Sequence, residues 1–128
     1  MILIDTSIWI DFLRPKTKLE ISSTVFGQAV TTPIIIQEIF QGLKDNQTSA
    51  KFKDSFMEIP RASDPTPLED YITASEIFSL ARRKGLTIRS SADCLISAIA
   101  IKHKLRVWHR DRDYKSIAKI TDLRIYGS

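Results

Sequence analysis

A chain of 128 residues, 43% apolar and 27% charged, is long enough for one domain, residues 1–128, that buries about two thirds of the surface its unfolded form exposes, and too short for a separate second one. Its single Cys94 excludes an intrachain disulfide and a cysteine-built zinc site, and no run approaches the roughly 18 apolar residues of a membrane span. The net charge of +4 favours a polyanionic partner only weakly, and the start Met-Ile-Leu-Ile-Asp lacks the basic and apolar regions of a signal peptide, so a cytoplasmic protein with no membrane contact is expected.

Ile2 to Ile4 is a short apolar run without alternation, as in a central strand covered on both faces, and Asp5 ends it. Thr6 or Ser7 then caps a helix whose stripe is Ile8, Trp9, Phe12 and Leu13, stopped by Pro15. A second helix is read over Leu19 to Phe26 and a strand over Ala29 to Thr31. Thr32 with Pro33 opens a helix that Gly42 ends and that carries Glu38. Asn46 to Phe56 reads as a further helix, Met57 to Ile59 as a short strand, and Arg61 to Pro67 as the longest irregular connection. Thr66-Pro67-Leu68-Glu69 has the form of a capping box opening a long helix that Gly85 closes. Next comes an apolar helix with Ser90 as its cap and Ala92, Leu95, Ile96 and Ile99 at three-four spacing. The strand Leu105 to Trp108, the acids Asp111 and Asp113, a short helix from Tyr114 to about Ile120 and a strand from Leu123 to Tyr126 complete the chain.

Alternating short strands and helices predict a three-layer α/β/α domain with a mostly parallel central sheet of about five short strands. Ligands of such sheets bind at the carboxyl edge of the strands. Asp5 ends the first strand there, Asp111 follows the fourth, and Asp93 lies in the first turn of the helix that runs back from that edge. Glu38 is six residues into a helix starting at the same edge, about 8 Å down its axis. Four carboxylates are thus expected to converge.

Singly, Asp5, Asp93, Asp111 and Asp113 each have an alternative reading as helix caps. Glu38 has none, because Ile34, Ile35 and Ile39 surround it and a carboxylate on an apolar face costs several kcal/mol uncompensated. Like charges about 4 Å apart repel by roughly 1 kcal/mol in water and 4 at an effective dielectric of 20, a penalty that a divalent cation removes. An all-oxygen set suits Mg²⁺ or Mn²⁺ rather than zinc, and with it phosphodiester hydrolysis. Cys94 reads as a plain buried thiol, and His103 and His109 as surface or turn residues outside any metal-ligand spacing. Serine-hydrolase, P-loop and dinucleotide fingerprints are all missing. Trp9, Phe12 and Leu13 are read either as core or as the lining of a partner groove.

Ile2-Leu-Ile-Asp-Thr-Ser-Ile-Trp-Ile-Asp11, Glu38, Ser91-Ala-Asp-Cys-Leu-Ile-Ser-Ala-Ile-Ala100 and Trp108-His-Arg-Asp-Arg-Asp-Tyr-Lys-Ser-Ile-Ala118 together resemble the acidic motifs of PIN-domain ribonucleases, and specifically of VapC-type toxins. The resemblance covers essentially the whole chain. It implies that Asp5, Glu38, Asp93 and Asp111, with Asp113 as an outer contributor, hold Mg²⁺ or Mn²⁺, and that Thr6 or Ser7 orients water or phosphate. Arg14, Arg89, Arg110, Arg112 and Lys115, beside those motifs, are candidate phosphate contacts. It also implies an RNA substrate, a homodimer and a cognate VapB-type antitoxin. The competing expectation is an inactive nucleic-acid-binding or metal-binding scaffold of the same fold.

Overall fold

In the computed structural model, which describes residues 1–127, the elements run β1 (Ile2–Ile4), α1 (Thr6–Leu13), a 3-10 turn (Pro15–Thr17), α2 (Ser23–Phe26), β2 (Ala29–Val30), α3 (Pro33–Gln41), α4 (Gln47–Phe56), α5 (Leu68–Arg83), α6 (Ser91–Lys102), β3 (Arg106–Trp108), α7 (Asp113–Ala118) and β4 (Arg124–Ile125). The strands form one parallel sheet in the order β2-β1-β3-β4, within a three-layer α/β/α arrangement. Strand β1 sits inside it with Ile2, Leu3 and Ile4 wholly buried, which is why its apolar run shows no alternation. Ile4 pairs with Trp108, and the Asp5 N–H donates to the Trp108 carbonyl at 3.0 Å, so β1 and β3 end level.

Helices α1, α2 and α4 meet around Trp9, a fully buried ring that packs edge-on against Phe12, Phe26 and Phe56 with centroids 6.1, 5.8 and 5.0 Å away. Helices α5, α6 and α7 form a second group, and α6 is buried from Asp93 to Ala100. The 61–67 connection is held to this group by its side chains. Ser63 Oγ donates to the buried Asp70 at 2.6 Å, and Lys102 bridges Asp70 and Glu69 at 3.0 and 2.9 Å. Among the described residues no helix is long and apolar enough to cross a membrane.

The structure departs from the sequence reading in five places. The sheet has four strands, because the fifth shrinks to a single bridge between Thr31 and Arg61. Met57 and Ile59 turn their N–H groups back to Lys53 and Phe56 carbonyls, prolonging the helical path beyond α4, and Pro60 has no N–H with which to extend a ladder. The helix read over Leu19 to Phe26 begins only at Ser23, where Ser22 accepts the Val25 N–H and so favours a cap over a helix interior. Thr66 makes no capping box, since its hydroxyl donates to the Ser63 carbonyl and Pro67 stands at the cap position. Helix α1 is capped by Asp5 rather than Thr6 or Ser7. Ser90 occupies the cap position of α6 without a side-chain bond, and its backbone N–H goes to Asp113.

Candidate active site

The chain leaves β1 for β2 on one side and later returns to β3 on the other. This reversal opens a crevice between the carboxyl ends of β1 and β3, where open parallel sheets bind ligands. Asp5 follows β1 directly, residues 109–113 follow β3, and Asp93 faces them from the first turn of α6.

Asp93, Asp111 and Asp113 each offer one carboxylate oxygen, all within 4.8 Å of one another. Asp93 is buried, and its Oδ2 has no hydrogen-bond partner among the described residues. Asp113 is buried too, and its Oδ2 accepts the N–H groups of Arg89 and Ser90, both at 2.9 Å. The Asp113 N–H donates to Asp111 Oδ1 at 3.0 Å. Asp5 stands alongside: its Oδ2 accepts the Ser7 N–H at 3.1 Å and the Ser7 hydroxyl at 2.5 Å, and its Oδ1 accepts the Tyr114 hydroxyl at 2.7 Å. Glu38 is half-buried and lies outside the three-carboxylate group, with Oε1 taking the hydroxyl of Thr6, the residue after Asp5, at 2.9 Å.

Crowding the acids divides their acidities. Burial, then the hydrogen bond to Asp111, then the charges of Asp111, Asp5 and Asp113 push the Asp93 carboxyl up to about 9. Burial alone would raise Asp111 as well. The Asp93 hydrogen bond and the Asp113 N–H, with the charges of His109 and Arg89, outweigh it and hold Asp111 below the ordinary carboxylate value. Burial and then the Asp93 and Asp113 charges lift the Cys94 thiol to about 11, in keeping with an inert buried cysteine. A buried acid forced to keep its proton, with an unpartnered oxygen facing two more carboxylates, is a donor set fitted to a hard divalent cation.

The remaining candidates divide. Ser7 Oγ accepts the Arg110 N–H at 3.2 Å besides donating to Asp5, and Arg110 Nε pairs with Asp11 at 2.9 Å, so Arg110 clasps the loop after β3 to α1. Arg14, Arg89, Arg112 and Lys115 are exposed. Trp9 is fully buried, so it serves the core and cannot line a groove. Phe12 is 37% exposed, and Leu13 lines a cleft of about 580 Å³ with Ile10, Ile39 and Phe52, bounded by Glu38 and by the cations Arg14 and Lys44. His103 is an exposed turn residue beside Ser63, whereas His109, read as a surface or turn residue, is half-buried against the Tyr114 ring at 4.9 Å. Burial, the largest influence, holds its pKa below the usual imidazole value, favouring the neutral ring. Tyr114 is the residue that sequence reasoning passed over as the mere start of a helix. The available signal was its place one turn before Ile117 on a buried face, where a phenol must find a partner.

Residues 2–120 match the family described as the PIN domain. The chain is 36% identical over 131 residues to the ribonuclease VapC11 of Mycobacterium tuberculosis, covering 97% of this chain and 96% of that protein. Among solved structures it is similar to VapBC2 from Rickettsia felis bound to a DNA fragment from its promoter, with a TM-score of 0.69, 17% identity, and 98% and 97% of the two chains covered. It is also similar to VapC20 of Mycobacterium tuberculosis, described as a Sarcin-Ricin loop cleaving toxin, with a TM-score of 0.63, 15% identity, and 97% and 99% covered.

Proposed function

Because this chain belongs to the PIN-domain family, among its VapC-type members, we propose that it is a Mg²⁺- or Mn²⁺-dependent endoribonuclease, the toxin of a type II toxin-antitoxin pair, which hydrolyses RNA phosphodiesters and so halts translation and growth. The observation that carries this reading is the convergence of Asp93, Asp111 and Asp113 within 4.8 Å, one of whose buried oxygens has no partner among the described residues. Helix caps need no such convergence, and three carboxylates so close repel one another unless a cation joins them.

Asp93 and Asp111 would hold the metal directly, with Asp5 and Glu38 completing the set. Asp113 contributes from outside, because one of its oxygens already accepts two backbone N–H groups. When bound, the cation supplies a more acidic water and positive charge against the leaving oxygen. Thr6 aims Glu38, Ser7 holds Asp5 and orients the Arg110 loop, and Arg112 with its exposed neighbours attracts the RNA backbone. A VapB-type antitoxin would cover Phe12, Leu13 and the cleft beside Glu38, and the toxin would pair as a homodimer. The antitoxin is supported by the VapBC complexes among the similar structures.

The test is incubation of purified protein with total cellular RNA in Mg²⁺ or Mn²⁺, in EDTA, and with Asp93→Asn. Mapped cleavage that needs the metal and the aspartate is expected. Metal binding without cleavage would point instead to an inactive scaffold.

A further inference from the structure

Tyr114 joins the two ends of the acidic site. It is fully buried, it begins the turn after Asp113, and its hydroxyl donates to Asp5 Oδ1 at 2.7 Å while lying beside Asp93 as well. The other donors to Asp5 are the N–H and hydroxyl of Ser7, on Asp5's own helix cap, and both fall on Oδ2. Among the described residues Tyr114 is thus the one donor to Oδ1, and the one that comes from the far end of the chain.

Packing does not account for that oxygen. The Tyr114 ring already packs against the tilted His109 ring and lies in the core with Ile117, contacts that a phenylalanine would make equally well. What the hydroxyl adds is direction: with Ser7 holding Oδ2 through two donors and Tyr114 holding Oδ1 through one, the Asp5 carboxylate is fixed against rotation, and Oδ1 keeps a second lone pair for a further partner. We propose that Tyr114 is a positioning residue which fixes the Asp5 carboxylate in the orientation the acidic site needs to take its divalent cation. The inference rests on the metal-site reading given above and adds to it a residue from outside the acids.

Tyr114→Phe removes one oxygen and keeps the ring. Mn²⁺ titrated calorimetrically into the variant is expected to bind 10–100-fold more weakly than into wild type, the range usual for loss of a group that orients a metal ligand. Cleavage should be weak at limiting Mn²⁺ and return to within about twofold of wild type at saturating Mn²⁺. An affinity within twofold of wild type overturns the proposal. Asp5→Asn, titrated in parallel, separates the two levels: weakened binding there with unchanged binding in Tyr114→Phe refutes the role of Tyr114 alone, and unchanged binding in both removes Asp5 from the metal site altogether. Should Tyr114→Phe fail to fold, the wild-type chain labelled with 3-fluorotyrosine at Tyr71, Tyr114 and Tyr126 decides. Addition of Mg²⁺ should shift the Tyr114 fluorine resonance and leave the other two, and a stationary Tyr114 signal overturns the proposal.

Discussion

Asp93 and Asp111 bring carboxylate oxygens within 4.8 Å of each other at the crevice between β1 and β3, so close that the first keeps its proton and the second gives its up. Their acidities therefore move apart, Asp93 to about 9 and Asp111 below its ordinary value. The consequence for stability has a definite sign. Above a pH of about 4 the unfolded chain has lost the Asp93 proton and the native metal-free chain has not, so stability falls as pH rises from about 4 toward 9 and levels off beyond. Asp111 acts oppositely: its contribution is present above a pH of about 4 and is lost as pH falls through its depressed value. In EDTA, melts of wild type should show the decline toward pH 9, and Asp93→Asn should flatten it. Equal slopes for the two proteins would remove Asp93 from this role.

A bound cation must displace that proton. Mn²⁺ should therefore bind more tightly as pH rises from 6 to 8, by up to about tenfold per unit, with about one proton released, as calorimetry in buffers of differing ionisation enthalpy would show. At one hundred times its Kd the metal should stabilise the fold by about 2.7 kcal/mol, and Asp93→Asn should lose most of the gain. The same metal-induced rise in Tm for both proteins would count against the cluster.

Asp111 and Asp113 should separate by assay. Asp113→Ala takes the acceptor from two part-buried N–H groups, those of Arg89 and Ser90, at a cost of about 1 kcal/mol of stability. Asp111→Asn leaves those bonds in place and should abolish cleavage with little change in Tm. Asp113→Asn should retain more activity than Asp111→Asn. The reverse order of activities would exchange the inner and outer assignments.

Thr6→Val keeps the shape of the side chain and removes the donor to Glu38. RNA cleavage should fall by about tenfold, corresponding to about 1.4 kcal/mol of lost positioning, with the circular dichroism unchanged. Full activity in this variant would mean that Glu38 is aimed by other contacts.

Trp9 and Phe12 are neighbours on α1 with different expected phenotypes. Trp9→Ala empties the centre of the aromatic cluster and should cost about 3–5 kcal/mol, whereas Phe12→Ala and Leu13→Ala should fold normally and weaken a co-expressed antitoxin. Unchanged antitoxin affinity in the last two would move the contact away from this cleft.

Much of this arrangement was legible in advance because it rests on local rules. Asp5 after a buried run, Asp93 in a first helical turn and Asp111 after a strand declare themselves by position, and the parallel layering brings their ends to one edge. Glu38 was legible only as an acid on an apolar helix, since its partner Thr6 lies 32 positions earlier. Long-range side-chain pairing defeated the rest. Asp113 anchors the backbone just ahead of α6 by taking the Arg89 and Ser90 N–H groups, and Tyr114 reaches an acid 109 positions away, neither of which any spacing rule anticipates. The missing fifth strand was lost to Pro60, a local signal outweighed in the reading by the apolar Met57 and Ile59.

The pairing of Ile4 with Trp108 has a consequence for timing. Closing a loop of about 100 residues costs roughly 4 kcal/mol of chain entropy, and the β1–β3 contact repays it only once the last third of the polypeptide is present. A chain emerging from the ribosome amino end first can fold the Trp9 cluster early, yet it carries Asp5 and Glu38 without Asp93, Asp111 or Tyr114. The crevice therefore assembles only when synthesis is nearly complete, so that the acids at its two rims meet late in the life of the nascent chain.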